Sequence, residues 1–83
     1  MTQVVVYSRP GCHLCEQALE AIAALHADGY RFSLLEIDIE GEELLLRRML
    51  ERIPVVEVDG EVVSELVLDP DSVRARLDTV GAR

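Results

Sequence analysis

The sequence predicts a single α/β domain, residues 1–83, with elements in the order β-α-β-α-β-β-α around a mixed four-stranded sheet. Three observations carry this reading. Apolar residues alternate in some stretches and recur every three or four positions in others, so strands and helices take turns along the chain. Strand, helix and strand in succession at the start imply a parallel pair joined by a right-handed crossover. Asp59-Gly60 then stands between two β-branched runs, the signature of a two-residue type I′ hairpin.

Each element has a local cause. Gln3-Val4-Val5-Val6-Tyr7 is too short for a buried helix, and Ser8-Arg9-Pro10-Gly11 bounds it, so it reads as a strand covered on both faces. From Cys12 to about Ala27 the apolar residues Leu14, Ala18, Ile22 and Leu25 make one helical stripe, closed by Asp28-Gly29. Phe32 to Ile39 is the second strand, with Leu35, Ile37 and Ile39 alternating against Glu36 and Asp38. Gly41 punctuates the chain. Glu42-Glu43 suits the first turn of a second helix, where carboxylates complement the dipole; Leu46, Met49, Leu50 and Ile53 supply its stripe, and Pro54 stops it. Val55–Val58 and Glu61–Ser64 flank the hairpin turn. Asp69 is an N-cap with Pro70 at the first helical position, and Val73, Leu77 and Val80 form the last stripe before Gly81. No repeat, low-complexity tract or linker interrupts this order.

Composition narrows the function classes. Eighty-three residues support one core and exclude two. At 49% hydrophobic and 29% charged, the chain reads as an ordinary globule with no apolar run near the ~20 residues of a membrane span. Its start has neither a basic n-region nor a long apolar core, so no secretory signal is expected. All eight basic residues are arginine, against 16 Asp and Glu, giving a net charge of −8. Nucleic acid and anionic membrane surfaces would repel such a chain.

The chemistry lies in two cysteines, Cys12 and Cys15. A bridge between them closes a minimal loop worth roughly 2 kcal/mol by the chain-entropy formula, a poor structural staple. A reactive dithiol in a reducing, cytoplasmic compartment is the better expectation, and a monomer the simplest state. Cys12 falls where the first strand yields to the first helix, facing unpaired backbone N–H groups and the positive end of the dipole. Both favour the thiolate, which is the nucleophile. Cys15 lies one turn along the same face. The expected order is attack by Cys12 on a substrate disulfide, then displacement by Cys15.

Neighbouring residues have open roles. Arg9 is a cation that lowers the Cys12 pKa, a partner for a substrate carboxylate, or a solvated loop residue. His13 adjoins the nucleophile, either supplying charge in mild acid or standing exposed in the first turn. His26 and Arg47, Arg48 and Arg52 read as surface. Glu16 and Glu20 oppose the thiolate weakly, through solvent. A mononuclear zinc site is not expected: Cys12, His13 and Cys15 lack a fourth ligand, as no second C-x-x-C or H-x-x-x-H follows.

The run Val5-Val6-Tyr7-Ser8-Arg9-Pro10-Gly11-Cys12-His13-Leu14-Cys15 resembles the glutaredoxin-like opening of the thioredoxin superfamily. Ile53-Pro54-Val55-Val56 resembles the family's β-branched residue and cis-proline. The resemblance spans nearly the whole chain in element order. It implies the thioredoxin-like fold with sheet order 2-1-3-4. It also implies a cis Ile53-Pro54 bond beside the dithiol, with the Ile53 backbone free to pair with an extended substrate. The chain departs from the family in two places. His13-Leu14 stands where many members have Pro and an aromatic, and Glu61–Leu66 lacks the Gly-Gly and Asp that hold glutathione. Only Ser64 and Glu65 can stand in.

The expected function is therefore a thiol-disulfide oxidoreductase that reduces protein or glutathione mixed disulfides, with no bound cofactor. Glutathione, a flavin-dependent thioredoxin reductase or another dithiol would return the electrons. Two alternatives stay open: a non-catalytic binding module on the same fold, and an iron–sulfur or metal carrier bridged between subunits.

Overall fold

β1 (Gln3–Ser8) runs through the interior of the sheet, and the computed structural model, which describes residues 2–82, arranges everything else around it. α1 (His13–Ala27) follows, then β2 (Ser33–Asp38), a 3₁₀ turn at Ile39–Gly41, and α2 (Glu43–Met49). β3 (Val55–Val58), β4 (Glu61–Glu65) and α3 (Pro70–Thr79) complete the chain. The sheet order is β2-β1-β3-β4, with β1 parallel to β2 and antiparallel to β3. The expected architecture and order both hold.

The pleat sends alternate β1 residues to opposite faces, and each face builds its own core. Val4 and Val6 join Val56 and Val58 of β3 beneath Ile22 and Leu25 of α1 and Val73 and Leu77 of α3. A second, smaller cluster holds Cys15, Ile39, Met49, Ile53 and Val55, with Tyr7, Cys12, Leu45 and Leu46 packed against it. One half of the dithiol is thus part of the core.

The hairpin follows its turn chemistry. Asp59 and Gly60 both have positive φ, 49° and 86°, as a type I′ turn requires. Beyond the turn Val56 pairs with Ser64 but Glu57 with Val62, so Val63 is an extra residue and β4 carries a bulge.

Three expectations are corrected. Leu14 is 39% exposed, and the buried stripe of α1 is Cys15, Ala18, Ile22 and Leu25. Helix begins only at His13, and the buried stripe is centred about 60° round from Leu14, with Cys15 at its far edge, so Leu14 lies at the rim of the first turn. Next, α2 stops at Met49, well before Pro54. The residue before a proline disfavours the α region, so Ile53 leaves the helix, and Arg52 and Ile53 both donate backbone N–H bonds to the Met49 carbonyl. Leu50 is left exposed as the C-cap and Arg52 is no part of the helix face. Finally, the alternation in β2 does not mark a buried face. Ile39 is buried but opens the 3₁₀ turn, while Leu34 and Leu35 are both more than 40% exposed. β2 is an edge strand, and the seven residues of α2 span only about 10 Å, too short to cover it.

Candidate active site

The residues that bring the cysteines together are those between β1 and α1. Gly11 takes a φ of 77°, which turns the chain so that Cys12 can cap the helix. Cys12 is the N-cap, with extended backbone (φ −91°, ψ 105°), and its carbonyl accepts the Glu16 N–H at 3.1 Å. Its sulfur accepts the backbone N–H of Cys15 at 3.2 Å, in the place where a serine or aspartate oxygen usually sits. The two cysteines are joined as a disulfide, with Cα atoms 5.2 Å apart, inside the ordinary range. Cys15 is 2% exposed, whereas Cys12 is half-buried and meets solvent. This asymmetry leaves Cys12 as the sulfur a partner can reach.

A cleft of about 360 Å³ opens beside the pair, with Cys12 and Cys15 in its wall. Arg9, Glu16, Glu36 and Asp38 line the same cleft. The Arg9 guanidinium pairs with Glu40 at 2.8 Å, both side chains more than a third exposed. Buried Ser8 donates its hydroxyl to Glu36 at 2.8 Å, and Asp38 accepts the Glu40 N–H at 2.9 Å, capping the 3₁₀ turn. His13 is almost fully exposed, its ring 3.6 Å from Glu16. On the α2 side, Tyr7 reaches Glu57 through a long contact of 3.5 Å. Burial pushes the Tyr7 phenol above its ordinary value, the Glu57 charge and hydrogen bond add to this, and Arg48 works against it.

The remaining sequence-nominated residues are engaged elsewhere. The Ile53-Pro54 bond is cis, as expected, and Ile53 shares a core cluster with Cys15. Its N–H, however, donates to Met49 at 3.0 Å, which leaves the carbonyl as the group to meet an extended partner. Ser64 is buried and accepts the Asp69 N–H at 3.2 Å. Glu65 forms an ion pair with Arg52, and the Leu66 N–H donates to the Arg52 carbonyl at 2.9 Å. His26 packs its ring against Phe32 in a tilted contact, centroids 3.9 Å apart and planes 59° from parallel, a packing role that its neighbour Asp28 did not suggest.

Glu36, Asp38 and Glu40 were not nominated from the sequence. The signal for the first two lay in the register. In the parallel β1–β2 pair Val6 lies opposite Glu36 and Ser8 opposite Asp38, so the carboxylates follow β2 to the strand ends where the dithiol sits.

The comparisons with known proteins agree with this geometry. The Glutaredoxin-like domain (DUF836) family matches residues 3–78. The glutaredoxin-like protein YDR286C homolog of Dictyostelium discoideum is 29% identical over 79 residues, covering 89% of this chain and 73% of that protein. The X-ray structure of protein XcR50 from X. campestris is 31% identical with a TM-score of 0.72, over 92% of this chain and 96% of that one. Oxidised mitochondrial thioredoxin 3 of Saccharomyces cerevisiae shares the fold, with a TM-score of 0.67 at 11% identity over 94% of this chain and 77% of its own. A thioredoxin-like sheet, a Cys12–Cys15 disulfide at the mouth of α1 and a match over residues 3–78 together mean that the chain belongs to the Glutaredoxin-like domain (DUF836) family and has a redox-type role.

Proposed function

We propose that the chain is a thiol-disulfide oxidoreductase acting on disulfide-bearing proteins. The observation that carries this reading is the sulfur of Cys12 at the N-cap, accepting the Cys15 N–H within reach of solvent. In the reduced protein those groups favour a Cys12 thiolate. It attacks one sulfur of the substrate disulfide, forming a mixed disulfide and releasing a substrate thiolate, which takes a proton from water. The Cys15 thiol loses its proton to solvent and attacks the Cys12 sulfur. The Cys12–Cys15 bond forms, the second substrate thiol leaves, and two electrons have passed to the substrate. A dithiol or a reductase must return them. Ser64 and Glu65 already have partners within the fold, which favours those donors over glutathione.

A cytoplasmic monomer fits the cysteine usage, since both cysteines lie in one turn and neither ties distant segments together. Among the described residues no helix is long and apolar enough to cross a membrane. The test is insulin reduction driven by dithiothreitol, together with trapping. Cys15→Ser should accumulate a mixed disulfide through Cys12, and Cys12→Ser should lose turnover. Trapping through Cys15 alone would reverse the roles, and no turnover by the unmodified protein would sink the reading.

A further inference from the structure

Arg9 is the only cation among the described residues that line the dithiol cleft, and its guanidinium is held by Glu40 at 2.8 Å. Among the described residues the cleft's carboxylates have no such Arg partner. Glu36 is met by a hydroxyl and Asp38 by a backbone N–H, and among the described residues the basic side chain beside Glu16 is the exposed His13. A disulfide approaching Cys12 must bring its flanking side chains past this wall, on a chain whose net charge is −8.

We infer that the cleft selects disulfides flanked by cationic side chains and turns away those flanked by carboxylates, oxidised glutathione included, and that Glu40 sets this choice by occupying Arg9. Three carboxylates that line the cleft, Glu16, Glu36 and Asp38, act on the incoming partner, and the one guanidinium there is already paired with Glu40. Fields of this kind in a partly enclosed cleft change association rates by about tenfold or more, and salt removes most of the effect. Glu40 is a positioning residue, acting through Arg9. If it were removed, Arg9 would be free to receive a carboxylate, the role the sequence left open for it.

The inference rests on the redox reading, and one experiment separates the two. Pre-reduced protein is mixed in a single turnover with three disulfide peptides identical except for the residues flanking the cysteines: Lys, Gln or Glu. At an ionic strength of about 0.02 M the Lys peptide should oxidise the protein about tenfold faster than the Glu peptide, with Gln between them, and at about 0.5 M the gap should shrink below about twofold. Glu40→Gln should narrow the gap mainly by speeding the Glu peptide. The Glu36→Gln/Asp38→Asn double variant should narrow it mainly by slowing the Lys peptide. These replacements keep the acceptors for Ser8 and for the Glu40 N–H, and the Arg9–Glu40 pair is exposed, so the fold should persist. Equal rates, a faster Glu peptide, or a gap that ignores Glu40→Gln would overturn the inference while leaving the redox reading intact. A protein that reduces none of the three peptides would sink the redox reading, and this inference with it.

Discussion

The backbone N–H of Cys15 points at the sulfur of Cys12 across 3.2 Å, so one cysteine caps the very helix that carries the other. In the reduced protein this donor and the helix end favour negative charge on the outer sulfur. Iodoacetamide alkylation of Cys12 should therefore follow a pH midpoint well below the ~8.5 of a free thiol, and should outpace Cys15 by at least about tenfold. A midpoint at ~8.5 or above would remove the electrostatic basis of the reading.

Core burial separates two residues that look alike in sequence. Ile22 is fully buried while Leu14 is 39% exposed. Ile22→Ala should cost about 2–5 kcal/mol through lost transfer energy and a cavity, and Leu14→Ala within about 0.5 kcal/mol, as urea unfolding would report. Comparable losses would mean that α1 is rotated from the position described.

The Arg52–Glu65 pair ties the segment before Pro54 to the end of β4, but both side chains are about 40% exposed. Glu65→Gln should cost less than about 1 kcal/mol. It should also leave the rate with glutathione as reductant unchanged within error, whereas a marked loss would show that Glu65 holds glutathione after all.

Asp69 supplies a pH dependence of known sign. Ser72 donates its hydroxyl to the Asp69 carboxylate at 2.7 Å, and the Asp71 N–H bonds it at 3.1 Å. The Ser72 hydroxyl bond is the largest cause and holds the Asp69 pKa below its ordinary value; desolvation, next in size, opposes it, and the backbone bonds from Asp71 and Ser72 add to the lowering. A lowered carboxyl pKa gives stability that is present above the unfolded value near ~3.9 and lost as pH falls through the folded value. Asp69→Asn should flatten that part of the stability profile below about pH 4 and leave the neutral region's slope unchanged. An unaltered acid limb in the variant would place the effect elsewhere.

What could be read directly from the residues is what short-range chemistry dictates. Asp59-Gly60 needs two positive φ values, Asp69-Pro70 marks a helix start, and C-x-x-C at a strand-to-helix junction caps α1; all three stand as read. What could not be read depends on distant cover. Leu35 and Ile37 carry a strand's alternation, yet no element reaches across β2 to bury Leu35. The end of α2 was misjudged because Ile53 continues the apolar spacing while its backbone has already left the helix for Pro54. Glu40 was invisible as a site residue because its meeting with Arg9 spans 31 positions and depends on the 3₁₀ turn after β2.

The free edge of β2 also bears on how this chain behaves when crowded. A strand bonded on one side only offers its outer amides to any newcomer, and Leu34 and Leu35 would reward the contact. Glu36 and Asp38 sit on that same rim, so a second copy laid alongside would press carboxylate against carboxylate. The acid side chains that line the dithiol cleft therefore also set like charge against like along this edge, which works against open-ended stacking of copies.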